Sequence, residues 1–291
     1  MNKFDFAIVG GDKRTAHMSS ILSRKGYRVV CFGTSENFTD NTIATAHTLQ
    51  EAVTNASIIV CGIPFQKNGC LYFEKENSSI PLSELQRVLR KHHTVFGGMI
   101  PEDFRKICEA REIACYDFLS EEPLTIRNAV AAAEGAIIEA LLHKDTLLHL
   151  SKTLVLGYGR CAKVLADKLK GLSAQVTVCS EQPLELAYAH SLGFPAFPLS
   201  ELQEKINCFE YIFNTIPSKV LTKNCLEQMQ TDSLIIDIAS NRIGVDYEAA
   251  RLLQRTAIFC PGLPGKYASL SCAEQLTEFV LKNAKKPGSH H

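Results

Sequence analysis

The stretch KTLVLGYGRCAKVLADKLKG, Lys152 to Gly171, decides how this chain is read. TLVLG is an apolar run ending on glycine, and CAKVLADKLKG repeats apolar residues at helical spacing. A second apolar run, QVTVCS, follows at residues 175–180, so the order is strand, glycine turn, helix, strand. Gly157-Tyr158-Gly159-Arg160-Cys161-Ala162 fits the pattern Gly-x-Gly-x-x-Gly/Ala. The first glycine permits a tight turn, the second lets backbone approach a pyrophosphate, and the small Ala162 lets helix and strand pack closely. Backbone N–H groups and the positive end of the helix dipole then face the phosphates.

Choosing between dinucleotides rests on the end of the second strand, where an acid about 20 residues on holds ribose hydroxyls and an arginine holds a 2′-phosphate. Ser180 and Glu181 stand there, and CSEQP contains no arginine. Glu181 points to NAD if its side chain faces the ribose; the competing reading is a solvated turn glutamate.

Outward from this unit the alternation continues. In the second half, strands are expected at EYIFNTIP, SLIIDIAS and TAIFCPG, with CAEQLTEFVLKNA as a final helix. In the first half, FAIVGG, YRVVCFG, ASIIVCGIP, HTVFGGM and IACYDFL read as strands. RTAHMSSILSRKG, LSELQRVLRKH and PEDFRKICEAR read as helices. Residues 66–80 read as a long loop able to hold a hairpin. LTIRNAVAAAEGAIIEALLHK, Leu124 to Lys144, is a long alanine-rich helix joining the halves. The fold class is therefore α/β, with two doubly wound parallel-sheet domains. The expected boundaries are 1–120, substrate side, with helix 271–285 returning to it, and 121–270, dinucleotide binding. Residues 286–291 read as a tag remnant.

Composition narrows the function classes. The 291 residues are 46% hydrophobic and 21% charged, with Lys+Arg and Asp+Glu equal at 31 each, so no net field attracts nucleic acid or an anionic membrane. Eleven cysteines sit singly in apolar runs with no C-x-x-C pair, the pattern of buried thiols in a reducing, cytoplasmic setting. No metal site is expected. The N-terminus runs directly into a strand, unlike a signal peptide. GGDKRT at the first turn lacks the third small residue, so no second nucleotide is expected there. Asp12 and Arg14 lie at that strand's carboxyl end, and Arg14 is a candidate to hold a substrate carboxylate bidentately.

VGGDKR (9–14), IPFQKNG (63–69), RNAVAAAEGAI (127–137), LVLGYGR (154–160), FNTIP (213–217), IIDIAS (235–240) and PGLPGKYA (261–268), taken together, resemble the A subunit of dipicolinate synthase. Order and spacing are kept over nearly the whole chain. The resemblance implies an N-terminal flavodoxin-like domain, a C-terminal Rossmann domain and a site in the cleft between them. It also implies NADP as cofactor, the flavoprotein B subunit of the synthase as partner, and the mother cell of a sporulating bacterium as location. A homo-oligomer is expected as well. The implied reaction oxidises a tetrahydrodipicolinate-type dicarboxylate to dipicolinate. Cofactor contacts are implied at Thr215, Ile216, Pro217, Ala239, Gly262, Leu263 and Pro264.

Glu181 replaces the family's basic residue, which leaves NAD and NADP both open. The family's ASKPGGTDF has become ASNRIGVDY, with Arg242 as a substitute for the lost lysine, and APKTAG has become ASLSCA. Two substrate carboxylates call for cations, for which Arg14, Lys67, Arg127, Arg242 and Lys266 stand in the recognised stretches. Glu134, in an otherwise apolar helix, is the candidate acid–base, its carboxyl raised by expected burial. Lys266 and Ser240 are the other catalytic candidates, and Asn128 a donor to substrate. Asp237 reads as a structural or ribose-binding acid. No histidine or cysteine has the context of a catalytic group. Rival readings are a non-catalytic partner that organises the flavoprotein, and another two-domain dehydrogenase.

Overall fold

The computed structural model describes residues 3–35, 42–75 and 79–284; the expected 286–291 tail lies outside them. The chain divides into two compact units, Met1–Thr125 with Ala268–His291, and Ile126–Tyr267.

The first unit holds β1 (Phe6–Val9), β2 (Val29–Phe32), β3 (Ala44–Thr45), β4 (Ile58–Cys61), the hairpin β5 (Gln66–Lys67) and β6 (Cys70–Leu71), β7 (Thr94–Gly97) and β8 (Ala114–Asp117). Six of these form one parallel sheet in the order β3-β2-β1-β4-β7-β8. Without the two-residue β3, the five remaining strands have the flavodoxin-like order 2-1-3-4-5. β1 and β4 are buried at every position, because a parallel sheet is covered on both faces. Around the sheet lie α1 (Lys13–Arg24), α2 (Leu49–Thr54), α3 (Leu82–Val88) and α4 (Glu102–Ala110). The β5–β6 hairpin turns on Asn68 and Gly69, both at positive φ, the pair that a two-residue hairpin turn favours.

α5 (Glu122–His143) carries the chain into the second unit. There follow β9 (Lys152–Leu156), α6 (Arg160–Gly171), β10 (Gln175–Ser180), α7 (Pro183–Ser191), β11 (Ala196–Pro198), α8 (Leu202–Lys205), β12 (Tyr211–Asn214), α9 (Lys223–Gln228), β13 (Leu234–Asp237), α10 (Tyr247–Leu252), β14 (Thr256–Phe259) and α11 (Leu263–Tyr267). The strands pair in parallel as β11-β10-β9-β12-β13-β14, the Rossmann order. Ala133, Ala136 and Ala140 of α5 are buried in the same cluster as Val155, Leu165, Leu169 and Phe213. α5 is alanine-rich because small side chains let its backbone lie close to the sheet. α12 (Ser269–Asn283) packs on α1, with Ala273, Leu276 and Val280 in one cluster with Met18 and Leu22 of the first unit.

Candidate functional site

In a doubly wound sheet, ligands bind outside the carboxyl ends of the strands where the order reverses. In the second unit that point lies between β9 and β12. Gly157 follows β9 with φ +85°, a conformation that an L side chain rarely adopts. A Cβ there would stand 2.7 Å from Thr215 Oγ1 and 3.1 Å from Ile216 Cγ1. Thr215 cannot easily yield, since its hydroxyl donates to the Leu156 carbonyl at 2.8 Å. Gly157 is thus a packing glycine. Gly159 differs: φ is −74°, and a Cβ would meet nothing within 4 Å. Among the described residues no contact requires a glycine there. As N-cap of α6 it also gives no side chain to the first-turn N–H groups, of which Cys161 and Ala162 supply two. A pyrophosphate lying where that Cβ would point fits this cradle.

Tyr158 turns its buried ring into the core, edge-on to Phe194, so it offers the site only its backbone. Its N–H donates to Glu185 Oε2 at 2.9 Å, and the Ser180 hydroxyl donates to the same oxygen at 2.5 Å. Glu181 is exposed beside them. Sequence reasoning missed Glu185, which lies in the first turn of α7, beyond the strand end where an acid is sought. Arg160 is exposed, and the half-buried Cys161 has its thiol pushed up by burial despite the adjacent Arg160. All eleven cysteines are free thiols.

At the ends of β12 and β13 lies a buried polar network. Asp237 is fully buried and accepts from Asn214 Nδ2 at 2.9 Å, the Ala239 N–H at 3.2 Å and the Tyr247 hydroxyl at 2.6 Å. Asn214 also holds Ile216, exchanging bonds with its N–H and carbonyl at 3.1 Å each. Of the two readings of Asp237, the geometry matches the structural one. Burial first, then the Asp237 hydrogen bond, pushes the Tyr247 hydroxyl far up. Pro217, Ser240 and Arg242 are exposed on the loops after these strands, and Arg242 lies over the Tyr247 ring at 4.5 Å.

Three expected roles change on this geometry. Glu134 is not buried: its side chain is 54% exposed and pairs with Lys168 at 2.8 Å. The buried acid of α5 is Glu139, five residues on and therefore about 140° around the helix. Glu139 accepts from Lys266 Nζ at 2.5 Å and the Tyr267 hydroxyl at 2.9 Å. Burial alone would raise its carboxyl, but these hydrogen bonds outweigh burial and hold it below the ordinary range. Lys266 is accordingly engaged, its ammonium stabilised first by Glu139 and then by Tyr267. Leu263 and Pro264 are buried, Leu263 inside the core cluster, and only Gly262 of that trio is exposed.

In the first unit the corresponding switch point, between β1 and β4, is closed. A Cβ on Gly62 would stand 2.5 Å from Gly11 Cα, and the Gly11 N–H donates to the Tyr72 carbonyl at 2.7 Å. Arg14 is buried, its Nε and Nη2 donating to the Asp12 carboxylate at 3.0 and 2.7 Å and Nη2 to the Ile63 carbonyl at 2.5 Å. The bidentate edge expected to take a substrate carboxylate is taken by Asp12. Lys67 and Arg127 are exposed, and Asn128 is half-buried.

A family model for the N-terminal domain of the dipicolinate synthase A subunit matches residues 5–119. The A subunit of dipicolinate synthase from Bacillus subtilis (strain 168) is 29% identical over 191 residues, 66% of this chain and 64% of that protein's length. The crystal structure of the A subunit from Bacillus halodurans superposes with TM-score 0.86 at 25% identity, covering 98% of this chain and 99% of that one. The chain is thus similar to dipicolinate synthase A subunits, by family model over residues 5–119 and by fold over nearly its whole length. The likeness extends beyond the family at the level of fold: L-alanine dehydrogenase superposes with TM-score 0.59 at 15% identity, over 95% of this chain and 88% of that one. Among the described residues no helix is long and apolar enough to cross a membrane.

Proposed function

We propose that this chain is the nicotinamide-dependent component of a dipicolinate synthase. It would oxidise a dihydrodipicolinate-type dicarboxylate, formed by loss of water from a hydroxytetrahydrodipicolinate, to pyridine-2,6-dicarboxylate in the mother cell of a sporulating bacterium, together with a flavoprotein B subunit. The observation that carries this reading is Gly159, a glycine that no contact among the described residues requires, at the amino end of α6 and at the switch point of a Rossmann sheet.

When bound, the dinucleotide supplies a hydride acceptor, so the oxidised ring loses a hydride to it and a proton to solvent or a base. This chain's residues bind and orient. N–H groups of Gly159, Arg160, Cys161 and Ala162 face the pyrophosphate, and Thr215, Ile216 and Pro217 border it. Ser240 and Arg242, on the loop after β13 at the same sheet edge, are the groups for a substrate carboxylate, with Asn128 a further donor. Arg242 is pre-aimed by its stacking on Tyr247.

A second reading is favoured by one observation: the two residues expected to move protons, Glu134 and Lys266, are both held in ion pairs. On that reading the chain binds the dinucleotide and organises the flavoprotein, which reacts. The test is to supply the hydroxytetrahydrodipicolinate precursor and NAD or NADP to the purified chain, alone and with its flavoprotein partner, and follow dipicolinate by its ultraviolet absorption. Dipicolinate formed by the chain alone supports the first reading. Formation only with the partner, unaffected by Arg242→Ala, supports the second. No dipicolinate under any condition refutes both.

A further inference from the structure

One carboxylate at the glycine turn is pointed to neither by the glycine pattern nor by the strand ends. Glu185 stands in the first turn of α7, behind Pro183, and is half-buried. Its Oε2 accepts from the Tyr158 N–H, inside the turn, at 2.9 Å and from the Ser180 hydroxyl at 2.5 Å. Ser180 is buried and itself oriented, its Oγ accepting from the Gln182 N–H at 3.1 Å. The carboxylate is therefore fixed between the turn after β9 and the end of β10. Its other oxygen, Oε1, accepts no hydrogen bond among the described residues. Glu181 makes neither bond and is exposed.

Resting on the reading that a nicotinamide dinucleotide occupies this turn, we infer that Glu185 selects which one, accepting the hydroxyls of an unphosphorylated adenosine ribose and rejecting a 2′-phosphate. A dinucleotide with its pyrophosphate at Gly159 sends its adenosine ribose toward the end of the second strand, which here is β10. Oε1 of Glu185 is an open acceptor there, suited to hydroxyl donors. A phosphate brings only acceptors and like charge, and residues 179–185 include no lysine or arginine to offset it. Unit charges about 6 Å apart at an effective dielectric of about 20 repel enough to shift binding about 100-fold.

The experiment is titration calorimetry of the full chain with NAD and, separately, NADP. Wild type, Glu185→Gln, Glu181→Gln and Ser180→Ala are compared. Wild type is expected to prefer NAD about 100-fold. Glu185→Gln cuts that preference at least about tenfold, chiefly by tightening NADP, because the charge is gone while the shape remains. Glu181→Gln leaves the preference within about twofold, as exposed charges contribute little. Should Glu185→Gln fail to fold, Ser180→Ala decides: it keeps the charge but leaves the carboxylate held by the Tyr158 N–H alone, weakening NAD several-fold while NADP stays rejected. A wild-type preference for NADP, or a preference moved by Glu181→Gln and not by Glu185→Gln, overturns the assignment to Glu185 and leaves the dinucleotide site standing. Absence of binding by either dinucleotide overturns the site and Glu185's role together.

Discussion

Two alanine substitutions in the same turn should fail in opposite ways. In Gly157→Ala the new residue must hold φ +85°, which costs about 1–2 kcal/mol for an L side chain. Its Cβ also meets Thr215 Oγ1 at 2.7 Å and Ile216 Cγ1 at 3.1 Å. Thr215 can give way only by breaking its 2.8 Å bond to the Leu156 carbonyl, a further loss of about 1 kcal/mol. The sum is about 2–4 kcal/mol, a fall in Tm of roughly 5–12 °C for a unit of this size. Gly159→Ala has φ −74° and nothing within 4 Å of its Cβ. Alanine is a poorer N-cap than glycine by about 0.5–1 kcal/mol, and its smaller unfolded-state entropy offsets about 0.5 kcal/mol or more of that. Tm should stay within about 3 °C. Affinity for the dinucleotide should nonetheless drop at least about tenfold, because the methyl group occupies the approach of the pyrophosphate. Differential scanning calorimetry and titration calorimetry on the same preparations separate the two effects. Wild-type affinity in Gly159→Ala would refute the placement of the pyrophosphate. An unchanged Tm in Gly157→Ala would refute the packing assignment.

Further outcomes follow from the polar groups. Lys266→Met leaves the buried Glu139 with the Tyr267 hydroxyl and, at 3.6 Å, the His143 ring, and should cost about 1–2 kcal/mol, the exposure of Lys266 discounting the pair. Loss of turnover with unchanged thermal stability would instead make Lys266 a catalytic group. Tyr247→Phe removes a donor from the fully buried Asp237 and should cost about 1.5–3 kcal/mol in urea unfolding; a loss under 0.5 kcal/mol, within about the error of a surface change, would show that the network is not needed. His93 is buried, with Nδ1 accepting from the Arg90 N–H, and burial followed by the neighbouring His92 pushes its pKa down to about 4. An unfolded histidine titrates near 6.5, so between these values the unfolded chain binds more protons. Stability should be full above pH 6.5 and decline by at most about 3 kcal/mol as pH falls through about 4. His93→Gln should flatten that decline in urea melts taken from pH 7 to pH 4, and an identical slope in both proteins would contradict it.

Strand positions were legible because both sheets are covered on both faces, so FAIV, IIVC and LII of LIID are buried at every residue and read as unbroken apolar runs. β3 and β11, of two and three residues, are too short to carry such a run. α2 carries a sequence signal of its own: Thr48 and Glu51 have the spacing of a capping box, and the Thr48 hydroxyl accepts from the Glu51 N–H at 3.1 Å. Side-chain roles were less legible, for reasons of direction. An apolar neighbourhood along α5 says that some acid there is buried, but not which face points inward, and Glu134 and Glu139 lie on different faces. Arg14 reads as a cation at a strand end, while its partners are set by a two-residue local contact with Asp12 and by Ile63, 49 residues away.

The two stretches that speak most for the family apart from the glycine turn, NAVAAAEG and PGLPGK, meet in space. A Cβ on Gly135 would stand 2.8 Å from Leu263 Cβ and 3.1 Å from Tyr267 Cδ2, so α5 needs a glycine where α11 crosses it. One turn further along α5, Glu139 takes the Lys266 ammonium and the Tyr267 hydroxyl from the same short helix. A close backbone approach and a buried acid with two donors are mutually dependent, since the hydrogen bonds reach only if the helices touch. This accounts for the family pattern as the description of one helix–helix contact within the second unit. It follows that these residues carry the resemblance without locating a ligand site, and that ligand-binding groups are to be sought among the loops after β9, β12 and β13, at the carboxyl ends of the strands.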